Sequence, residues 1–84
     1  MSDDARIRAV ILDAVHASGA GKTICPSEVA RALAVDWRPL MPDIRRVAQR
    51  LADQGALTVT QKGRPVHAET ARGPIRLGHP SSSD

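Results

Sequence analysis

The sequence predicts an α+β fold that is mostly helical: a winged helix-turn-helix with three helices and a small antiparallel β-hairpin as the wing. Three observations support this prediction. The 84 residues suffice for one small domain. Apolar residues recur at helical spacing in several segments before Gly55. The period then changes to the alternation of strands, at 57–61 and again at 75–77.

The first helix is predicted over residues 3–18. Its apolar residues follow the spacing i, i+3, i+4, i+7 and i+8, which is one face of an α-helix. Asp3 or Asp4 is expected to cap the start, and Gly19 to end the helix. The residues that define the apolar face are Ile7, Val10, Ile11, Ala14 and Val15.

The second helix is predicted over residues 26–34, after a short extended piece at 23–25. Pro26 suits the first position of a helix. Cys25 and Glu28 then occupy the two positions of a capping box, with Cys in place of Ser or Thr. We expect Cys25 to be a small cap residue rather than a reactive thiol.

The third helix is predicted over residues 42–54, after a partly helical turn at 35–41. Pro39 and Pro42 disfavour helix in the residues before them, so the regular helix is expected to begin at Pro42 and to stop at Gly55. Trp37, the one aromatic residue, is expected to close the core.

The wing is predicted as a strand at 57–61, a long loop at 61–73 with one helical turn at 67–72, and a return strand at 75–77. Residues 1–78 are expected to form the domain. Residues 79–84 are expected to be a flexible tail.

Composition excludes several classes of function. One aromatic residue is too few for the RNA-binding folds that stack bases on several rings. One cysteine excludes a multi-cysteine zinc module and fits a cytoplasmic protein. The stretch 19–23, Gly-Ala-Gly-Lys-Thr, imitates a phosphate-binding loop, but His16 stands where that motif needs glycine. We therefore expect no enzyme, metal, nucleotide or other cofactor, and no membrane segment.

Charge points to an acidic partner. The net charge is +3, and the basic excess lies in residues 37–84, with eight basic and four acidic side chains. On a helical wheel of the third helix, one arc opposite the apolar face carries Arg45, Arg46, Gln49 and Arg50. Arginine and glutamine are the side chains that bind guanine and adenine through two hydrogen bonds in the major groove of DNA.

Backbone contacts are expected from the turn and the wing, since basic side chains there suit phosphates or a minor groove. The expected contact residues are Arg38, Lys62, Arg64 and Arg72. The alternatives are a solvated helix face, a basic surface hairpin, or a surface that binds protein. Asp43 and Asp53 on the third helix favour these alternatives, because they pair with arginines or repel phosphate.

Four segments together carry a family resemblance. They are Thr-Ile-Cys-Pro-Ser-Glu-Val-Ala-Arg at 23–31, Trp-Arg-Pro-Leu-Met at 37–41, Gln-Lys-Gly-Arg-Pro-Val at 61–66 and Ala-Arg-Gly-Pro-Ile-Arg-Leu at 71–77. The chain resembles the small bacterial family catalogued as domain of unknown function 3253 over roughly residues 5–78. The resemblance implies a winged-helix fold and a bacterial, cytoplasmic protein, and it implies no activity or site residue.

The function predicted from the residues is DNA binding, as a small transcriptional regulator or as the DNA-contacting module of an assembly. The third helix is expected in the major groove and the wing on the backbone. A homodimer reading two half-sites is expected if binding is specific. The alternative function is a winged-helix module that binds a protein partner and no DNA.

Overall fold

Three helices and four short strands make up the computed structural model, which describes residues 3–80. A 3₁₀ turn joins the second helix to the third. In chain order the elements are α1 (Asp4–Ser18), β1 (Thr23–Ile24), α2 (Pro26–Leu33), the 3₁₀ turn (Arg38–Leu40), α3 (Met41–Asp53), β2 (Thr58–Gln61), β3 (Arg64–Pro65) and β4 (Arg76–Gly78). This is the predicted α+β winged helix-turn-helix.

One apolar core lies between the helices and one face of the sheet. α1 contributes Ile7, Ile11 and Val15 from its predicted stripe, all buried. α2, α3 and the sheet complete the core from their own apolar faces. The other large contributors are Ile24, Val29, Ile44, Val47, Leu51, Leu57, Val59, Ile75 and Leu77.

α2 begins with the predicted capping box. The Glu28 carboxylate accepts a 2.8 Å hydrogen bond from the Cys25 N–H, and Pro26 occupies the first turn. Ser27 Oγ donates to Cys25 Sγ at 3.1 Å. Cys25 is half-buried and free of any disulfide, as expected of a small cap residue.

The turn between α2 and α3 is partly helical, as predicted. Its 3₁₀ turn spans Arg38–Leu40, and α3 starts at Met41, one residue before Pro42. Trp37 is half-buried against the core, so it closes the core as expected.

The sheet is antiparallel with strand order β1-β4-β2-β3. β4 lies in the middle, with Leu77 opposite both Ile24 of β1 and Val59 of β2. Because side chains alternate along a strand, these three residues face the core and their neighbours face outward. The return strand begins at Arg76, one residue later than predicted.

The wing, residues 62–75, is more ordered than the predicted long loop. Lys62 and Gly63 have φ values of 53° and 80°, which form a tight two-residue turn between β2 and the unpredicted β3. The chain then folds back toward the core through a single helical turn, in which the Ala71 N–H donates to the His67 carbonyl at 2.9 Å. Ala68 and Ile75 are fully buried.

The predicted tail lies largely outside the described residues, since 81–84 are not among them. Its first residue is held in place. The His79 carbonyl accepts a 3.0 Å hydrogen bond from Thr58 Oγ1, and the His79 ring lies 5.7 Å from that of His16. His79 thus contacts the folded domain, and the flexibility of the tail stays a prediction. Among residues 3–80, no helix has the length and apolar content needed to cross a membrane.

Candidate nucleic-acid interface

Arg45 of α3 holds the wing against the helix. Its guanidinium group donates hydrogen bonds to three backbone carbonyls of the wing: Ala68 at 3.2 Å, Ala71 at 2.9 Å and Gly73 at 2.7 Å. The side chain is half-buried. These acceptors lie 23 to 28 residues away in the chain, so Arg45 supports the tertiary structure of the wing.

Arg46 joins α3 to the start of α1. Its two terminal nitrogens donate to the two carboxylate oxygens of Asp4 at 2.8 and 2.9 Å, and one of them also donates to Asp43 at 3.2 Å. The bonds to Asp4 and then to Asp43 raise the pKa of Arg46 above its usual range. Arg46 is therefore charged at any physiological pH, and its charge is balanced within the fold.

Gln49 connects α3 to the wing on the same side as Arg45. Its Oε1 accepts a 2.7 Å hydrogen bond from the Ala68 N–H, and its Nε2 donates to Asp53 at 2.8 Å. Both ends of the amide therefore have partners inside the protein.

The exposed arc predicted for α3 is wrong for three of its four residues. Arg45, Arg46 and Gln49 are half-buried and bonded within the fold. Only Arg50 is well exposed, with 62% of its side chain accessible and a 4.0 Å approach to Asp4. The wheel of an isolated helix cannot show that the wing and α1 cover its two flanks.

Basic side chains instead come together at the wing. Lys62, Arg72 and Arg76 line one surface groove with Gln61 and Pro74, and we call these five residues the wing groove. It contains no carboxylate. The ion pairs found among residues 3–80 all involve Arg46 or Arg50, so no ion pair within that range neutralises the groove.

Internal hydrogen bonds fix the shape of the wing groove. Gln61 Nε2 donates to the carbonyls of Arg72 and Pro74, at 2.5 and 3.0 Å, so it ties β2 to the returning chain. Gly73 between them has a φ of 85°, a backbone conformation that favours glycine. The cations of the groove therefore project from a backbone that is already ordered.

Arg76 is the groove residue that sequence reasoning missed. It bonds to Thr23 on β1, with Nε donating to Oγ1 at 2.9 Å and a terminal nitrogen donating to the carbonyl at 3.0 Å. The signal was present in the alternation of 75–77, because an arginine between two buried residues must face outward.

The remaining predicted contact residues lie around the groove or apart from it. Arg64 is exposed and sits directly opposite Gln61 in the β2–β3 register, so it borders the groove. Arg38 does not line the groove. Its guanidinium carbon lies 4.7 Å from the centre of the Trp37 ring, and that of Arg31 lies 4.9 Å from it. Contact between nucleic acid and any predicted site residue stays a prediction.

Among residues 3–80, no group of three or more His, Cys, Asp or Glu side chains is arranged to hold a metal ion.

The fold and the groove define a small winged-helix protein with a basic wing. The chain matches the family model described as protein of unknown function (DUF3253) over residues 4–80, and it belongs to that family. No curated protein matches the chain.

Proposed function

We propose that this protein binds double-stranded DNA and that the wing groove contacts the phosphate backbone. One observation carries the proposal: Lys62, Arg72 and Arg76 line a single groove that contains no carboxylate. Cations at phosphates release condensed counterions from DNA, and this release supplies most of the affinity that does not depend on sequence.

The backbone at Lys62 gives separate support. Its φ of 53° is one that an L-residue with a side chain adopts at a cost of about 1 kcal/mol or more. Asparagine tolerates this position of a two-residue turn better than lysine does. A lysine placed there therefore supplies a charge at the groove at the expense of local stability.

Duplex DNA is a better ligand than a single strand. Proteins that bind single strands stack bases on exposed aromatic rings. The one aromatic side chain, Trp37, is half-buried and already stacks with Arg31 and Arg38. Duplex DNA also carries more charge per unit length than a single strand, which favours a site made of cations.

A salt titration tests the proposal. The full chain is titrated against a fluorescent 20-base-pair duplex, and anisotropy is measured at several salt concentrations. Lys62 and Arg72 are the groove cations whose side chains have no hydrogen bond to any of residues 3–80, so two phosphate contacts predict a slope of about −1.8 for log affinity against log salt. A slope near zero, or no binding at low salt, would refute the proposal.

A matched pair of variants locates the site. Lys62→Gln with Arg72→Gln removes two charges from the groove, whereas Arg6→Gln with Arg8→Gln removes two exposed charges from α1. At about 0.1 M salt, the first pair should weaken binding about 50-fold and reduce the slope by about 1.8. Equal losses in both pairs would mean that only total charge matters.

The second candidate function is a protein-interaction module without DNA binding. The observation that favours it is the charge balance of α3, where Asp4 and Asp43 bind Arg46 and Asp53 binds Gln49. A helix face without net charge suits a protein surface better than a phosphate backbone. Absence of duplex binding in the salt titration would favour this candidate.

The proposed DNA-binding role is non-enzymatic. The protein would act as a small regulator or as the DNA-contacting part of an assembly, and this role requires it to share the bacterial cytoplasm with DNA.

A further inference from the structure

We infer that duplex binding by this protein is independent of base sequence. The inference rests on the proposed function and adds to it the class of ligand, which is the phosphodiester backbone of any duplex. It follows from how the side chains of α3 are used within the fold.

Base reading requires free donors and acceptors on the helix that enters the major groove. On α3 these groups already have internal partners. Arg45 donates to three wing carbonyls, Arg46 binds Asp4 through both terminal nitrogens, and Gln49 uses both ends of its amide. The remaining candidate, Arg50, is one exposed side chain and cannot define a sequence alone.

Releasing these groups for base contacts would bring no net gain in binding free energy. A bidentate contact to the correct base contributes about 1–3 kcal/mol of discrimination. Turning Arg45 outward would remove a charged donor from the carbonyls of Ala68, Ala71 and Gly73, and the buried Ala68 carbonyl left unsatisfied costs about 1–3 kcal/mol. The free energy lost is similar in size to the free energy gained, so base contacts give Arg45 no net reason to leave its internal partners.

Acidic residues on α3 further disfavour base reading by this helix. Asp43 and Asp53 are exposed side chains of α3. Carboxylates on α3 repel phosphates and disfavour insertion of the helix into the major groove. The wing groove lacks such groups, and phosphate contacts carry no direct sequence information.

Two measurements with the full chain test the inference. Dissociation constants are measured for five unrelated 20-base-pair duplexes that range from AT-rich to GC-rich. A random duplex pool is also selected through several rounds of binding and sequenced. We expect the five constants to agree within about threefold and the pool to yield no enriched motif.

The outcomes separate the inference from the proposed function. A selected sequence that binds more than about tenfold tighter than its scrambled version would overturn the inference and leave DNA binding intact. No binding to any duplex would overturn both. If a motif is enriched, Arg50→Gln identifies whether α3 reads it, because Arg50 is exposed on the helix and makes no bond to the wing, so loss of the preference would assign base contacts to α3.

Discussion

α3 and the wing groove both carry basic side chains, yet they differ in how many of these side chains have partners among the described residues, and in the groove only Arg76 does. On α3 the cations hold the protein together: Arg45 binds the wing and Arg46 binds α1. In the wing groove, Lys62 and Arg72 are exposed and have no ion-pair partner among residues 3–80. Counting basic residues along a sequence therefore overestimates the charge that is available to a partner.

The shape of the wing depends on α3. α3 supports the wing through two side chains: Arg45 donates to the Gly73 carbonyl, and Gln49 accepts from the Ala68 N–H. Gln61 of β2 also supports the wing, through its hydrogen bonds to the carbonyls of Arg72 and Pro74. The helix that would read bases in a typical helix-turn-helix protein here serves as the support for the segment that carries the free charge.

The largest expected difference between the two regions is in duplex affinity after two charges are removed from one region or from the other. Arg46→Gln with Arg50→Gln should weaken duplex binding less than about threefold, because only long-range charge is lost. Lys62→Gln with Arg72→Gln should weaken it about 50-fold at about 0.1 M salt. Anisotropy titration measures both, and circular dichroism checks that each variant is folded. A greater loss of affinity in the α3 variant would place the DNA-binding site on the helix.

Arg45→Met should lower stability by about 2 kcal/mol, since three wing carbonyls lose a charged donor. Urea unfolding measures the change, and hydrogen exchange of the Thr70 and Ala71 amides reports on the wing. The matched control is Arg50→Met, which removes the same group from an exposed site and should change stability far less. Equal effects in the two variants would contradict the supporting role of Arg45.

Lys62→Asn should separate stability from binding. Asparagine followed by glycine is the preferred pair for this turn, so the free energy of unfolding should rise by about 0.5–1 kcal/mol. Duplex affinity should fall by about eightfold at about 0.1 M salt through the loss of one phosphate contact. Urea unfolding and anisotropy, measured on one preparation, test both changes. A variant that is more stable and binds as tightly as the wild type would remove Lys62 from the site.

Asp43→Asn should have the smallest effect. It removes a half-exposed carboxylate from α3 without touching the wing, and it leaves the two bonds from Arg46 to Asp4 in place. We expect affinity for every duplex to rise by about twofold, since the net charge near the DNA becomes more positive. A rise for one sequence alone would show that α3 contacts bases.

The sequence predicted the helices well because their signals are local. The start of α1 was placed one residue early and that of α3 one residue late. The capping box of Cys25 and Glu28 followed from their spacing alone. The exposure of α3 did not follow, because Arg45 meets carbonyls more than 20 residues away.

The residues of the candidate site were also predictable only where their sequence signal is local. Lys62 and Arg72 were identified from their charge in a segment rich in turn residues, whereas Arg76 was hidden in a strand. The hairpin with β3 was missed because β3 has two residues, too few for alternation to show. Only the pairing of β2 with β4 places Arg76 beside the wing.

By itself, the sequence determined the fold class, the apolar faces and the supply of positive charge, because helical period, capping and composition act over a few residues. The tertiary structure decided which of those charges stay available. An arginine that finds carbonyls or a carboxylate within its own fold is engaged there, and the residues that become its partners are fixed only when distant segments pack together.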